Sequence, residues 1–353
     1  MIFYFTKYTP AGASSRYRTY QYLPALQAAG FAGNVLPLFD DAYLAHKYAQ
    51  GTAKITQVLR AFLCRLWWVL RVPRGATVWI EYELFPYCPA IFERWLAWRG
   101  CHMIVDYDDA LFHQYDAHPR RVVRMLLGRK IATVMRLAHV VVAGNAYLAA
   151  YAKAAGAASV VTIPTVIDAE KYPQKAPTPA TERCVIGWVG SPSTAKYLQA
   201  VAPALAEVAR RHDIIVRLIG SGQVTLANVP VTCVPWHEAS EVSDILSLDI
   251  GIMPLPDEPW ARGKCGFKLI QYMGCALPVV ASPVGVNTEL VQPDNGYLAT
   301  TQSEWVSALE ALIADVGLRH RLGAAGRARV DRAFTRSVTT PLLKAAFRQA
   351  ACT

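Results

Sequence analysis

Charge is scarce in this chain, and acid is scarcer than base. Charged residues make up 18% of the 353, with 26 Asp and Glu against 36 Lys and Arg. Hydrophobic residues make up 53%, which excludes the disordered class and implies extensive burial. No apolar run is long and clean enough to cross a bilayer. The most apolar stretch, residues 58–72, is interrupted by Arg60, Arg65 and Arg71. The first ten residues lack a basic segment followed by a cleavable apolar one, and they read as a short strand rather than a secretory signal. The eight cysteines, at positions 64, 88, 101, 184, 233, 265, 275 and 352, form no C-x-x-C pair and no Cys/His spacing of a zinc site. Reduced thiols in a cytoplasmic protein are expected. Low-complexity segments and short repeats are also lacking. No G-x-G-x-x-G follows the first strand, which argues against a Rossmann oxidoreductase or epimerase.

The length suits two domains of common size. The net charge is +10, and most of it lies early: residues 1–170 hold 18 Lys and Arg against 11 Asp and Glu. Nucleic acid, an anionic membrane surface or phosphorylated substrates could each match such an excess. The basic residues lie among aliphatics without a recognisable RNA or DNA module, so no nucleic-acid partner is expected.

Short β-branched or aromatic runs alternate with helix-length segments from the start. Strands are expected at 1–6, 35–38, 77–81, 102–106, 140–143 and 160–163, with a helix over about 14–29. Such alternation implies βαβ units and a parallel sheet. From Lys171 to Arg183 the pattern stops, and Pro173, Pro177 and Pro179 mark an exposed connector. A second series follows, with strands at 184–189, 214–219, 231–234, 250–253 and 278–281 and a helix over about 303–314. The expected division is therefore 1–170, a linker at 171–183, a second domain at 184–330, and a C-terminal helix within 331–353 packing back on the first domain. The fold class is α/β, two Rossmann-like doubly wound sheets, with ligand bound in a cleft at strand carboxyl ends.

Two segments of the second half carry features of a phosphate site. In the first, 186–198, a strand ends at Gly190 and Ser191 and runs into a helix expected to include Lys196. Small residues at a helix start beside a lysine suit an anion, although a capped helix after a tight turn would read the same way. In the second, 263–287, Gly266 precedes a helix carrying Phe267, Lys268 and Gln271. The helix start attracts diphosphate oxygens, Lys268 adds a full charge, and Gln271 could hydrogen-bond sugar hydroxyls.

With these residues in place the chain resembles the large retaining family-four glycosyltransferases of the two-Rossmann GT-B fold, in a bacterial polysaccharide-type variant. The resemblance runs over nearly the whole chain and is strongest from Ile186 to Asn287. It implies that Gly190 and Lys196 hold the donor diphosphate, with Ser191 where the family has arginine. Gly266, Met273 and the run Pro278–Ser282 fit the family frame. Gly263 and Gln271 stand where two glutamates are usual, the first facing the transferred sugar and the second the ribose. Lys264 and Lys268 are read as replacing the missing arginine. Gly220, in Leu218–Gly222, resembles the glycine turn beside the nucleotide base. Pro164–Asp168 resembles the family's hinge-side motif. Gly12 and Arg16, in Pro10–Arg18, resemble the glycine loop near the donor phosphates, where plain helix capping by Ser14 or Ser15 is the other reading.

Asp106, Asp108 and Asp109 crowd the end of one strand, so at least one pKa should be raised. Asp108 or Asp109 is expected to bind the acceptor hydroxyl, with Glu83 helping to position it. Asp106-Tyr107-Asp108 also spells the D-x-D of metal-dependent transferases. The paired sheets and the donor segments favour a metal-independent enzyme with no cofactor and no protein nucleophile.

The resemblance thus implies transfer of a sugar from a nucleotide-sugar donor to a glycan or lipid-linked acceptor. A catalytically weak binding protein of the same fold is the alternative, raised by Ser191, Gly263 and Gln271. Two basic tracts with interleaved apolar residues, 54–74 and 120–130, suit an anionic membrane headgroup layer. A peripheral position on the inner face of the membrane would follow. A helix packed on the sheet with its arginines in water is the other reading of those tracts.

Overall fold

Strands joined by helices cannot pair through tight turns, so they lie side by side in parallel. The computed structural model, which describes residues 2–176 and 183–351, builds two such sheets. The chain divides into two compact units. One comprises Met1–Thr165, Gly263–Cys265 and Arg336–Thr353, and the other Val166–Arg262 and Gly266–Thr335. Pro177 and Pro179 of the anticipated linker, and Cys352, lie outside the described residues.

In the first unit the strands are β1 (Ile2–Tyr8), β2 (Gly33–Phe39), β3 (Thr77–Glu81), β4 (His102–Tyr107), β5 (Val140–Ala143) and β6 (Val160–Thr162). Their order is β2-β1-β3-β4-β5-β6, parallel throughout. The chain passes from β1 to β2 on one side and returns from there to β3 on the other. The topological switch point, where such folds place ligands, is thus at the carboxyl ends of β1 and β3. β5 is wholly buried and β4 nearly so, as strands covered by helices on both faces must be.

The second unit holds β7 (Cys184–Val189), β8 (Ile214–Ile219), β9 (Val231–Val234), β10 (Ile250–Met253), β11 (Val279–Ala281) and β12 (Gly296–Leu298). Their order is β12-β11-β10-β7-β8-β9, which puts its switch point between β7 and β10.

The expected helix over 14–29 is broken. It becomes helix Ala13–Arg18, a 3-10 turn Tyr20–Tyr22 and helix Leu23–Ala28. Pro24 is tolerated in the first turn of the last piece, but its ring and missing N–H forbid continuation from upstream. Helices Val316–Ala333 and Arg336–Ala351 close the chain.

The last helix belongs to the first unit, where Leu343, Ala346, Phe347 and Ala350 are buried. The Phe347 ring stacks on Trp79 at 5.6 Å and meets Tyr4 at 5.9 Å and Phe31 at 5.2 Å, while the Tyr22 and Thr339 hydroxyls hydrogen-bond at 2.7 Å. Phe347→Ala removes the centre of this aromatic group and should cost about 3–5 kcal/mol. A urea melt should show the loss, and an unchanged midpoint would mean that the helix does not hold the sheet.

Candidate functional site

At the switch point of the first unit the chain turns from β1 into helix Ala13–Arg18 through Gly12. A Cβ on Gly12 would lie 2.5 Å from the Tyr8 Cβ, so only glycine fits this turn. The helix then presents serines to the ends of β3 and β4. Ser15 Oγ accepts from the Tyr8 amide at 3.0 Å and donates to Glu81 at 2.9 Å, and the Lys7 amide donates to the other Glu81 oxygen at 3.2 Å. Ser14 Oγ donates to Asp108 at 2.8 Å and lies 2.9 Å from the Tyr82 hydroxyl, which donates to the other Asp108 oxygen. Tyr82 has φ of 62°, a left-handed conformation that an aromatic residue adopts only under constraint. Its amide donates to Asp106 O at 2.9 Å, and the Tyr107 hydroxyl donates to its carbonyl at 2.7 Å.

A buried guanidinium underlies this cluster. Arg18 donates from Nε to Asp106 at 2.9 Å and from Nη2 to the second Asp106 oxygen, while Nη1 donates to Ile163 O at 2.7 Å. Burial pushes the Glu81 carboxyl up to about 8, with Asp108 and Asp106 adding to the rise against the Ser15 and Lys7 hydrogen bonds. Burial and the neighbouring Asp109 raise Asp108 to about 6, although Arg18, Ser14 and Lys264 act the other way. Asp106 is raised by burial too, and Arg18 limits the rise.

The short stretch Gly263–Cys265 completes this unit. Asn145, at the end of β5, donates from Nδ2 to the carbonyls of Gly263 at 2.9 Å and Lys264 at 3.0 Å. Cys265 Sγ donates to Asp108 O at 3.0 Å, and Lys264 Nζ lies 3.5 Å from Asp109. Asp108, Asp109 and Lys264 are thus brought together. Arg16 is folded back on its own turn, with Nη1 donating to Pro10 O at 3.4 Å and its guanidinium over the Tyr17 ring.

In the second unit Gly190 ends β7 and Gly220 ends β8. Gly220 has φ of 77°, and a Cβ there would lie 2.4 Å from Gly190 O. Gly266 has φ of 65° and is the N-cap of helix Phe267–Gly274. Lys268, in the first turn, places Nζ 5.2 Å from the Trp188 ring centroid. A Cβ on Gly190 would strike that same ring, so Gly190 and Lys268 both approach Trp188. Asn287 is buried near the helix start: a Cβ on Gly266 would lie 3.7 Å from its Oδ1, which has no hydrogen-bond partner among the described residues.

Residues 183–315 match the family model described as Glycosyl transferases group 1. This stretch is a glycosyltransferase domain. No curated protein sequence matches the chain. Among solved structures, sucrose-phosphate synthase from Thermosynechococcus elongatus is similar at a TM-score of 0.70 and 17% identity, over 99% of this chain and 98% of that one. HepE from Anabaena in complex with UDP-glucose gives 0.70 and 17%, over 99% and 100%. A glycosyltransferase from Rickettsia africae gives 0.69 and 12%, over 99% and 98%. The shared fold is GT-B, two Rossmann-like α/β units.

Several expected residues sit otherwise in the glycosyltransferase domain and its companion unit. Lys196 is exposed and lies on a 3-10 segment, Ala195–Ala200, not on an α-helix. The Ser191 and Thr194 amides are engaged within the turn, with Thr194 Oγ1 at 3.3 Å and Ser191 O at 3.0 Å. The regular helix starts only at Ala202, with proline in its first turn. Gln271 is buried and donates from Nε2 to the Tyr172 hydroxyl at 2.9 Å. Glu83 is buried, with its carboxylate paired to Lys130 and accepting from the Tyr115 hydroxyl at 2.8 and 2.9 Å. Gly263 has no room for the usual glutamate: a Cβ would lie 2.3 Å from the Ala110 Cβ.

Glu81, Arg18, Tyr82 and Asn287 were missed. Glu81 ends the apolar strand β3 and Glu83 lies beyond the left-handed Tyr82; two residues apart, the pair cannot be told apart by strand alternation.

Because Glu81 and Asp108 are raised, the folded state holds protons that the unfolded chain has released, and their ionisation destabilises the fold. Stability from these groups is full below about pH 4 and declines as pH rises through about 6 and 8. Glu81→Gln should lessen the decline between pH 5 and pH 8.5 by on the order of 4 kcal/mol in urea titrations. An equal decline in both proteins would refute buried protonation at Glu81.

Proposed function

We propose that the chain transfers a sugar from a nucleotide-sugar donor to a glycan or lipid-linked acceptor, with retention and without a metal ion. The observation that carries this reading is the approach of Gly190 and Lys268 to Trp188, with Gly266 capping the helix that carries Lys268, within the glycosyltransferase domain. The start of helix Phe267–Gly274 and the Lys268 ammonium would hold a diphosphate, and exposed Lys196 would reach it from solvent. The same cations would stabilise the charge that grows on the departing diphosphate, which removes the need for a divalent ion. Asn287 Oδ1 would accept a hydroxyl or amide proton of the donor. That the neighbour HepE was solved with UDP-glucose is consistent with this donor class.

On the acceptor side, Asp108 and Asp109 would take hydrogen bonds from the incoming hydroxyl. With a carboxyl near pH 6, Asp108 is ionised at neutral pH and can orient that hydroxyl without permanently removing its proton. The proton then passes to the leaving diphosphate oxygen, so no covalent enzyme intermediate is required.

The surface of the first unit supports a lipid-linked acceptor. On helix Ile55–Arg71, Ile55, Leu59, Leu63, Trp67 and Leu70 are exposed at three- and four-residue spacing, and Val122, Met125 and Leu126 are exposed nearby in sequence to Arg121 and Arg124. An apolar stripe facing outward with arginines beside it suits insertion into an anionic headgroup layer. Two members of the anticipated basic face are not on it. Arg65 is buried, donating to Thr6 O at 2.6 Å and Leu36 O at 2.9 Å, and Lys130 is buried against Glu83. Among the described residues no helix is long and apolar enough to cross a membrane.

A second reading, a nucleotide-sugar-binding protein with little turnover, is favoured by the commitment of Gln271 to Tyr172 and by the close packing at Gly263. A panel of UDP-, GDP-, dTDP- and ADP-sugars separates the two. One donor should raise the thermal midpoint by mass action and be consumed at an equal rate in EDTA. Lys268→Ala and Asp108→Asn should each lower kcat/KM on the order of 100-fold. Binding without consumption would favour the second reading, and strict dependence on manganese would overturn the metal-independent mechanism.

A further inference from the structure

A cavity of about 450 Å³ opens on the first unit across three helices, Ile91–Trp98, Lys130–Leu137 and Ala146–Ala154. Arg94, Arg129 and Arg136 line it together with Thr133 and Tyr151. All three arginines are exposed, and none of their guanidiniums hydrogen-bonds or ion-pairs to another described residue. No carboxylate lines the cavity. The nearby acid that bears on Tyr151, Asp116, is bonded to His113 at 2.9 Å.

Three like charges in one concavity repel each other, and nothing in the fold compensates them. They come from two helices that meet over one hollow, Arg94 from Ile91–Trp98, and Arg129 and Arg136 from the cap and last turn of Lys130–Leu137. Tyr151 is fixed there, its ring stacked on Phe112 at 3.6 Å with planes 3° apart. Guanidinium forks match tetrahedral oxyanions in a bidentate way, and a carboxylate would occupy only one fork where a multiply charged phosphate can engage several.

We propose that this cavity binds a phosphate or diphosphate group, held by Arg94, Arg129 and Arg136 with hydroxyl donors from Thr133 and Tyr151. The group is carried either by a soluble phosphorylated molecule or by a lipid headgroup. The site does not involve the residues assigned above to the donor or to the acceptor hydroxyl, and it stands whether or not the proposed transfer occurs.

The test is calorimetric titration of the full chain with inorganic pyrophosphate, in a Lys196→Ala, Lys268→Ala background so that the proposed donor residues do not contribute. Adding Arg94→Gln, Arg129→Gln and Arg136→Gln should weaken binding at least tenfold without lowering the ligand-free thermal midpoint, because the three side chains are exposed and their mutual repulsion is relieved. Arg136→Gln alone should weaken it at least threefold. Arg60→Gln, Arg121→Gln and Arg210→Gln remove the same charge elsewhere and should change binding less than twofold. Equal weakening by the two triple variants, or pyrophosphate affinity within twofold after loss of the cavity arginines, would overturn the proposal. Flotation with phosphatidic acid vesicles then identifies the carrier. Flotation lost together with pyrophosphate binding assigns a lipid headgroup, and flotation retained when pyrophosphate binding is lost assigns a soluble phosphate.

Discussion

Four carboxylates gathered where β3 and β4 end, with one buried guanidinium to balance them, form the constraint around which the first unit is organised. Arg18 satisfies Asp106 through two hydrogen bonds and uses its remaining donors on Ile163 and Thr165. It is then unavailable to Glu81 and Asp108, which are satisfied by neutral serine and tyrosine hydroxyls. Neutral donors offset burial less completely than a cation does, so these two groups rise towards neutral pH while Asp106 stays paired. The left-handed backbone at Tyr82 belongs to the same arrangement, since it turns the Tyr82 hydroxyl onto Asp108. Backbone strain and raised carboxyls gather at functional sites more often than elsewhere.

The glycosyltransferase domain follows a different economy, in which close approach of backbone matters more than charge. Gly190, Gly220 and Gly266 leave space that any side chain would fill, and the one lysine held at the helix start lies over the Trp188 ring. Gly263 shows the same principle within the first unit. There the chain packs against Ala110 too tightly for a side chain, and Asn145 takes the adjoining carbonyls. The departure from the usual family residue at that position is therefore matched by local packing, and the adjacent Lys264 approaches Asp109.

Much of the fold was legible in the sequence because parallel strands covered on both faces are written as continuous apolar runs. β3, β5, β7, β8, β9 and β10 have the boundaries that their β-branched residues imply. β12 was not legible, since Gly-Tyr-Leu carries little strand signal and exists only by pairing with β11. The break in the first helix was written in Pro24 but masked by the helix-forming residues around it. In the site, the aspartate crowding at 106–109 was readable from spacing alone. The partners of those aspartates were not. Arg16 and Arg18 are both buried, as are Glu81 and Glu83; that Arg18 meets Asp106 and Glu81 meets Ser15 depends on partners 88 and 66 positions away, which a motif does not record. Gln271 likewise matched a family position, while its burial beside Tyr172 depended on a residue 99 positions away.

The crowding at Asp108 is open to direct measurement. Carboxyl-carbon NMR of the protein labelled at aspartate should show Asp108 titrating with a midpoint near pH 6, lowered when Asp109→Asn removes the neighbouring charge. A midpoint in the ordinary carboxylate range near 4, unmoved by Asp109→Asn, would contradict the buried and mutually repelling carboxylates on which the proposed acceptor chemistry depends.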